Sequence, residues 1–138
     1  MKLIMYIHAG LLILLAGFYG NQQNGSPVSL YDTKWSLKKI FTGEAQQDIH
    51  TKAFIRFNEA QKSAGGNGSC NQFGSSFTLS GDSIRFSGIL STKMYCEDVQ
   101  AIENTFFELL GQVNRFEIKD SVLLLYRDGD VLLEFRSE

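Results

Sequence analysis

Asp98-Val99-Gln100-Ala101-Ile102-Glu103-Asn104-Thr105-Phe106-Phe107-Glu108-Leu109-Leu110 is the one stretch of this chain in which a β rhythm breaks. Its apolar residues Val99, Ile102, Phe106, Leu109 and Leu110 follow helical spacing and form one stripe. Glu97 and Asp98 stand at its start, where carboxylates oppose the positive end of a helix dipole, and Gly111 offers a stop. Such a helix needs an apolar surface to lie on. Phe106 is expected to face it, on the same side as Val99 and Ile102.

The flanking sequence reads as strands. Phe77 and Leu79 match Ile84 and Phe86 across Ser80-Gly81-Asp82-Ser83, a hairpin pattern. Ala53, Ile55 and Phe57 alternate with Phe54, Arg56 and Asn58, a strand with one face more apolar. Trp35, Leu37, Ile40 and Phe41 form an earlier strand ending at Gly43. Between these, Gly43 to Thr51 is polar and Ser63 to Ser69 is glycine-rich, so both read as loops. After the helix come Phe116 and Ile118, then Val122 to Tyr126, then Val131 to Phe135. Turns are expected at Lys119-Asp120-Ser121 and around Asp128-Gly129. Val122 to Tyr126 is apolar almost throughout and is expected to be covered on both faces. The whole reads as an α+β domain: an antiparallel sheet, one principal helix and a C-terminal meander.

The chain has 138 residues, 13 basic and 15 acidic, for a formal charge of −2. The basic residues are scattered, with no stripe of the kind a nucleic-acid groove shows, so no nucleic-acid partner is expected. There are 11 Phe, 5 Tyr and 1 Trp, which suit a β-rich core, and Pro27 is the single proline.

Lys2 is followed by an uncharged run from Leu3 to Tyr19, centred on Leu11 to Leu15. One positive charge before an apolar segment reads as an export signal over 1–20, followed by a polar linker over 21–30 and one domain over 31–138. Leu15-Ala16-Gly17 approaches a lipoprotein box, but Phe18 stands where the lipid-bearing Cys belongs, so no lipidation is expected there. No nearby position has small residues at both −3 and −1. The alternative is therefore a retained anchor, at the short limit of a membrane span. Either way the protein is expected to be exported, to the periplasm or cell envelope.

Two short motifs remain. Cys70-Asn71-Gln72-Phe73-Gly74 follows the glycine-rich stretch, and Thr92-Lys93-Met94-Tyr95-Cys96 precedes the helix that contains Glu103. With the early Trp35, this order resembles the META/HslJ-like family: a Trp, a Gly-Cys-Asn type stretch, a Thr-x-Met-x-Cys stretch, then a helix with a Glu. The resemblance runs from about residue 31 to 136, with Ser69 where the family often has Gly. It implies a curved antiparallel sheet, or partial barrel, with one helix packed on it. It also implies a cell-envelope setting, with links in some members to heat-shock or antibiotic-resistance responses. No catalytic residues come with it.

Read individually, Asn71 suits left-handed backbone angles and bonds within its own turn. Thr92 can brace a turn with its hydroxyl. Met94 reads as core filler. Glu103 either accepts hydrogen bonds from loop amides or is a solvated helix glutamate. Cys70 and Cys96 are an even set in an exported chain, and both sit in the motif-bearing loops of the resemblance. A disulfide between them is expected, with two packed thiols as the alternative.

Little in the sequence supports catalysis. His50, the one histidine outside the leader, lies in a polar loop. Gly65-Gly66-Asn67-Gly68-Ser69 lacks the Lys-Ser/Thr ending of a phosphate loop. Two Cys and one His at unrelated spacing make a poor zinc site, so no metal and no cofactor are expected. The expected role is a non-enzymatic accessory, stress-related or ligand-binding one, with an envelope protein or a small hydrophobic molecule as partner. The alternatives are a binder of a small hydrophobe or lipid in an apolar groove, and a hydrolase or thiol-dependent enzyme.

Overall fold

The structure, a computed structural model, describes residues 26–138. The expected signal, the Phe18 position and the first half of the linker lie outside the described residues.

The elements run β1 (Trp35–Thr42), β2 (Ala45–Asp48), β3 (Phe54–Asn58), β4 (Ser63–Asn67), β5 (Gln72–Ser80), β6 (Ser83–Ser91), α1 (Gln100–Leu110), β7 (Arg115–Lys119), β8 (Val122–Arg127) and β9 (Asp130–Ser137). The class is α+β: a curved antiparallel sheet with one helix. Strand order follows the chain from β3 to β9, and β9 returns to pair with β1, so the sheet closes on itself. The start of β1 pairs with β3, Trp35 opposite Ile55. Its far half pairs with β2, from Lys39 opposite Asp48 to Thr42 opposite Ala45. The seam between β6 and β7 is slight, since they meet in register at Ser83 opposite Arg115. The helix is the connection between those two strands.

Alternation along the strands fills the interior. Trp35 and Leu37 of β1, Ile55 and Phe57 of β3, Leu123 and Leu125 of β8, and Leu133 and Phe135 of β9 are all buried. The Trp35 indole N–H donates to the Leu30 carbonyl at 3.0 Å, so a fully buried ring keeps its polar atom satisfied. Leu30 itself belongs to the core, so the polar N-terminal stretch ends inside the folded unit. The helix joins this core through Phe106, whose ring lies 5.6 Å from Phe73 of β5 and 6.0 Å from Phe135 of β9. Leu109 and Leu110 are buried with it, and Ile102 packs at the margin.

Two segments that read as loops are strands. β2 is exposed at every residue, so no apolar alternation marks it; backbone pairing with β1 forms it. β4 is Ser63-Ala64-Gly65-Gly66-Asn67, paired on both sides. A Cβ on Gly65 would lie 2.7 Å from the Phe73 carbonyl oxygen, and one on Gly66 would lie 2.1 Å from that of Phe54. The glycines here mark close approach of neighbouring strands, not a flexible turn. β8 is also less enclosed than its sequence suggests. Leu123 and Leu125 are buried, but Val122 and Leu124 are only half-buried, so one face is fully covered.

Candidate functional site

Three segments converge beside the helix: the β4–β5 connection, the stretch between β6 and α1, and the first turns of α1. Glu103 is their meeting point. It is 2% exposed, on a helix that otherwise buries apolar residues. One carboxylate oxygen, Oε2, accepts the backbone N–H groups of Cys70 (2.9 Å) and Asn71 (2.6 Å). The other, Oε1, accepts the Asn71 side-chain amide at 2.6 Å.

Asn71 carries the connection onward. Its Oδ1 accepts the Thr92 hydroxyl and the Met94 backbone N–H, each at 2.8 Å. Its Nδ2 also donates to the Met94 carbonyl at 3.0 Å. The side-chain amide therefore treats Met94 as a neighbouring strand would. Cys70 and Cys96 form a disulfide, with Cα atoms 5.9 Å apart, which ties the same two segments covalently. Thr92 N–H adds a bond to the Gln72 carbonyl at 3.0 Å.

Burial raises the proton affinity of Glu103, the largest single effect. The hydrogen bonds from the Asn71 backbone, the Asn71 side chain and the Cys70 backbone, with the nearby charge of Lys93, together outweigh it. The net result is a carboxyl held below its ordinary value, hence an anion.

The motif residues are thus placed unevenly. Cys70, Asn71, Thr92, Cys96, Glu103 and the backbone of Met94 come together. Trp35 stands apart as a core residue. The Met94 side chain is not core filler: it is 60% exposed, because the cluster uses its main chain and points the thioether outward. His50 is exposed in a loop. Among the described residues no three His, Cys, Asp or Glu side chains group as metal ligands.

Two further residues shape the site: Gly68, and Ser69 at the position where the resemblance expects Gly. A Cβ on Gly68 would lie 2.4 Å from Cζ of Phe107 and 2.8 Å from Oε2 of Glu103, so this glycine lets the loop reach the carboxylate. Ser69 adopts φ 121°, a conformation that favours glycine. Its hydroxyl shares a hydrogen bond with Thr51 at 2.8 Å. Outside the cluster, Leu90 and Tyr95 are each 76% exposed. A cavity of about 280 Å³ opens between residues 91–95 and the helix, with Lys93, Gln100, Asn104 and Phe107 in its wall. A shallower hollow lies across Ser91 and Thr92, over Gly74.

A family model described as the META domain matches residues 28–138. Two solved structures share the fold. An NMR structure of a protein from Burkholderia xenovorans superposes with a TM-score of 0.67 at 20% identity, covering 79% of this chain and 83% of its own. A second NMR structure gives 0.58 at 19% identity, covering 79% of this chain and 94% of its own. No curated protein matches.

Proposed function

The chain belongs to the META-domain family, and from that premise we propose that it is a non-enzymatic, stress-related accessory domain of the cell envelope that acts by binding. One observation carries this reading. Leu90, Met94 and Tyr95 project into solvent from a segment pinned by a disulfide, by the Asn71 amide and, through it, by a buried carboxylate. Exposing three large apolar side chains within six residues does nothing for folding. Holding them rigid lowers the ordering cost of a contact. The groups that catalysis would recruit are occupied elsewhere: both cysteines are oxidised, and the Glu103 carboxylate is committed to loop amides.

The reading of a small hydrophobe in an apolar groove draws less support. The Phe57, Phe77 and Phe86 rings pack on one another as core, as do Phe73, Phe106 and Phe135. Two measurements test the proposal. The purified protein is assayed against a panel of hydrolase substrates; turnover lost on Cys70→Ser would overturn the non-enzymatic reading. It is also incubated with a cell-envelope lipid extract, and co-purifying molecules are identified by mass spectrometry. A stoichiometric lipid retained by a Leu90→Ser/Tyr95→Ser variant would move the binding site away from this face. Export rests on Lys2 and the run to Tyr19. Fractionation of the native host with intact-mass analysis checks it, and a full-length soluble cytoplasmic protein would count against it.

A further inference from the structure

We infer that the groove on either side of Ser91 and Thr92 receives an extended peptide segment carrying an acidic residue beside an apolar one. This rests on the binding role proposed above and names the partner's chemistry. The first consideration is charge. Lys93 lies at the centre of the exposed segment and forms no ion pair within 4 Å among the described residues. The carboxylate its charge reaches, Glu103 at the back of the same cavity, is buried and already holds three donors, so the ammonium stays open on its solvent side. The ammonium contacts the Ser91 hydroxyl at 3.3 Å. A solvent-facing cation between Leu90 and Tyr95 complements an anion that has an apolar neighbour.

The second consideration is shape and polarity. The cavity beside Lys93 is concave and walled by the primary amides of Gln100 and Asn104. Those amides bond each other at 3.0 Å across one helical turn, which fixes their planes. Primary amides both donate and accept, as peptide groups do. A flat bilayer would meet protruding side chains but could not enter the cavity. On the other side, Leu90 stands in register with Gly74, whose missing side chain leaves open space beside it. A chain lying across Ser91 and Thr92 would set one side chain over Gly74 against Leu90. The next could enter the cavity near Lys93, since successive side chains of an extended segment point to opposite sides.

Selection of random 12-residue peptides displayed on phage against the full chain tests this. Enrichment of sequences with Asp or Glu next to an apolar residue is expected. By fluorescence anisotropy the enriched peptides should bind at least about tenfold more weakly to Lys93→Glu and to Tyr95→Ser, while Lys93→Arg retains binding. Lys93→Arg and Tyr95→Ser should melt with the parent, because neither side chain supports the core; Lys93→Glu sets a negative charge near the Glu103 anion and should melt slightly lower, so the loss must also appear with Tyr95→Ser. Enriched peptides without acidic residues, or binding indifferent to Lys93→Glu, would overturn the inference. So would Lys93-dependent binding to phosphatidylglycerol vesicles with no peptide enriched, which would assign the face to a bilayer and leave the binding role standing. Neither ligand bound, together with substrate turnover, would remove both.

Discussion

Asn71 uses both amide hydrogens and accepts two hydrogen bonds at Oδ1, all within one cluster, and the Glu103 carboxylate receives three donors. Replacing Glu103 with Gln keeps the shape but sets an N–H₂ where an acceptor is needed. The expected loss is about 2–3 kcal/mol, the range for hydrogen bonds to a charged partner whose removal leaves buried donors unmet. Because the folded carboxyl sits below its unfolded value, its contribution is fully present above the ordinary carboxylate range and fades as pH falls through the folded value. Melts of the parent and Glu103→Gln should therefore differ most near neutrality and converge in acid; a gap independent of pH would contradict the assignment. Ser69 supplies a second test. Its φ of 121° is strained for a side chain, and its hydroxyl bond to Thr51 partly compensates. Ser69→Gly removes the strain with the bond and should melt at or above the parent, whereas Ser69→Ala keeps the strain, loses the bond and should melt lower. At this scale Cys70, Asn71, Thr92, Cys96 and Glu103 could be singled out from the sequence, but not the use the cluster makes of them. Met94 reads as core by chemistry, yet the cluster needs only its backbone, which no residue type records. Glu103 has two readings because the sequence does not say which loop its helix face meets.

The elements divide by how much apolar surface marks them. α1 was legible because Phe106, Leu109 and Leu110 of its stripe are buried, with Ile102 at the margin; Val99 of the same stripe lies just before the helix, and Glu103 joins the buried face. Phe106 lies between Phe73 and Phe135, and Phe106→Ala should cost about 3–5 kcal/mol in a thermal melt. A melting point unchanged within a degree or so would mean the face is wrong. The hairpin of β5 and β6 was legible for the same reason, with Phe77 opposite Phe86 and Leu79 opposite Ile84 as the pattern implies. β2 and β4 were not. β2 has no buried residue, so nothing in its side chains distinguishes it from a loop. β4 hides behind its glycines, which ordinarily signal turns. A pair of substitutions separates close approach from flexibility. Gly66→Ala places a methyl 2.1 Å from a backbone oxygen of β3 and should lower the melt sharply, while Gly74→Ala meets nothing within 4 Å and should leave it unchanged or raise it. Equal effects would mean that the two glycines do not differ in the way their surroundings indicate.

The whole molecule is a sheet that closes by joining β1 to β9, near opposite ends of the described chain. Periodicity gives strands and local hairpins, but closure depends on pairing across about a hundred residues, and no local pattern encodes that. The same long-range character gives the Cys70–Cys96 bridge its weight. It spans a separation of 26 residues, and loop-closure entropy sets its contribution at roughly 3–4 kcal/mol at most. That is a large part of a small domain's net stability of about 5–15 kcal/mol, yet less than all of it. Reduction, or Cys70→Ser with Cys96→Ser, should therefore lower the melting point while leaving the β1–β9 closure intact by amide exchange. Protein isolated from its native host should show no alkylatable thiol in the folded state; two would be fatal to the bridge, though not to the fold. The bridge and the Glu103–Asn71 cluster hold the same two segments, so their effects should not add. With the disulfide intact, the loops stay near each other when the carboxylate is removed; with the carboxylate intact, hydrogen bonds keep the reduced loops in place. Losing both frees residues 92–99 from the β4–β5 connection. A double-mutant cycle between Glu103→Gln and the cysteine pair should return a coupling above about 0.5 kcal/mol, with the double variant worse than the sum of the singles. A coupling of zero would mean the two ties act on different motions.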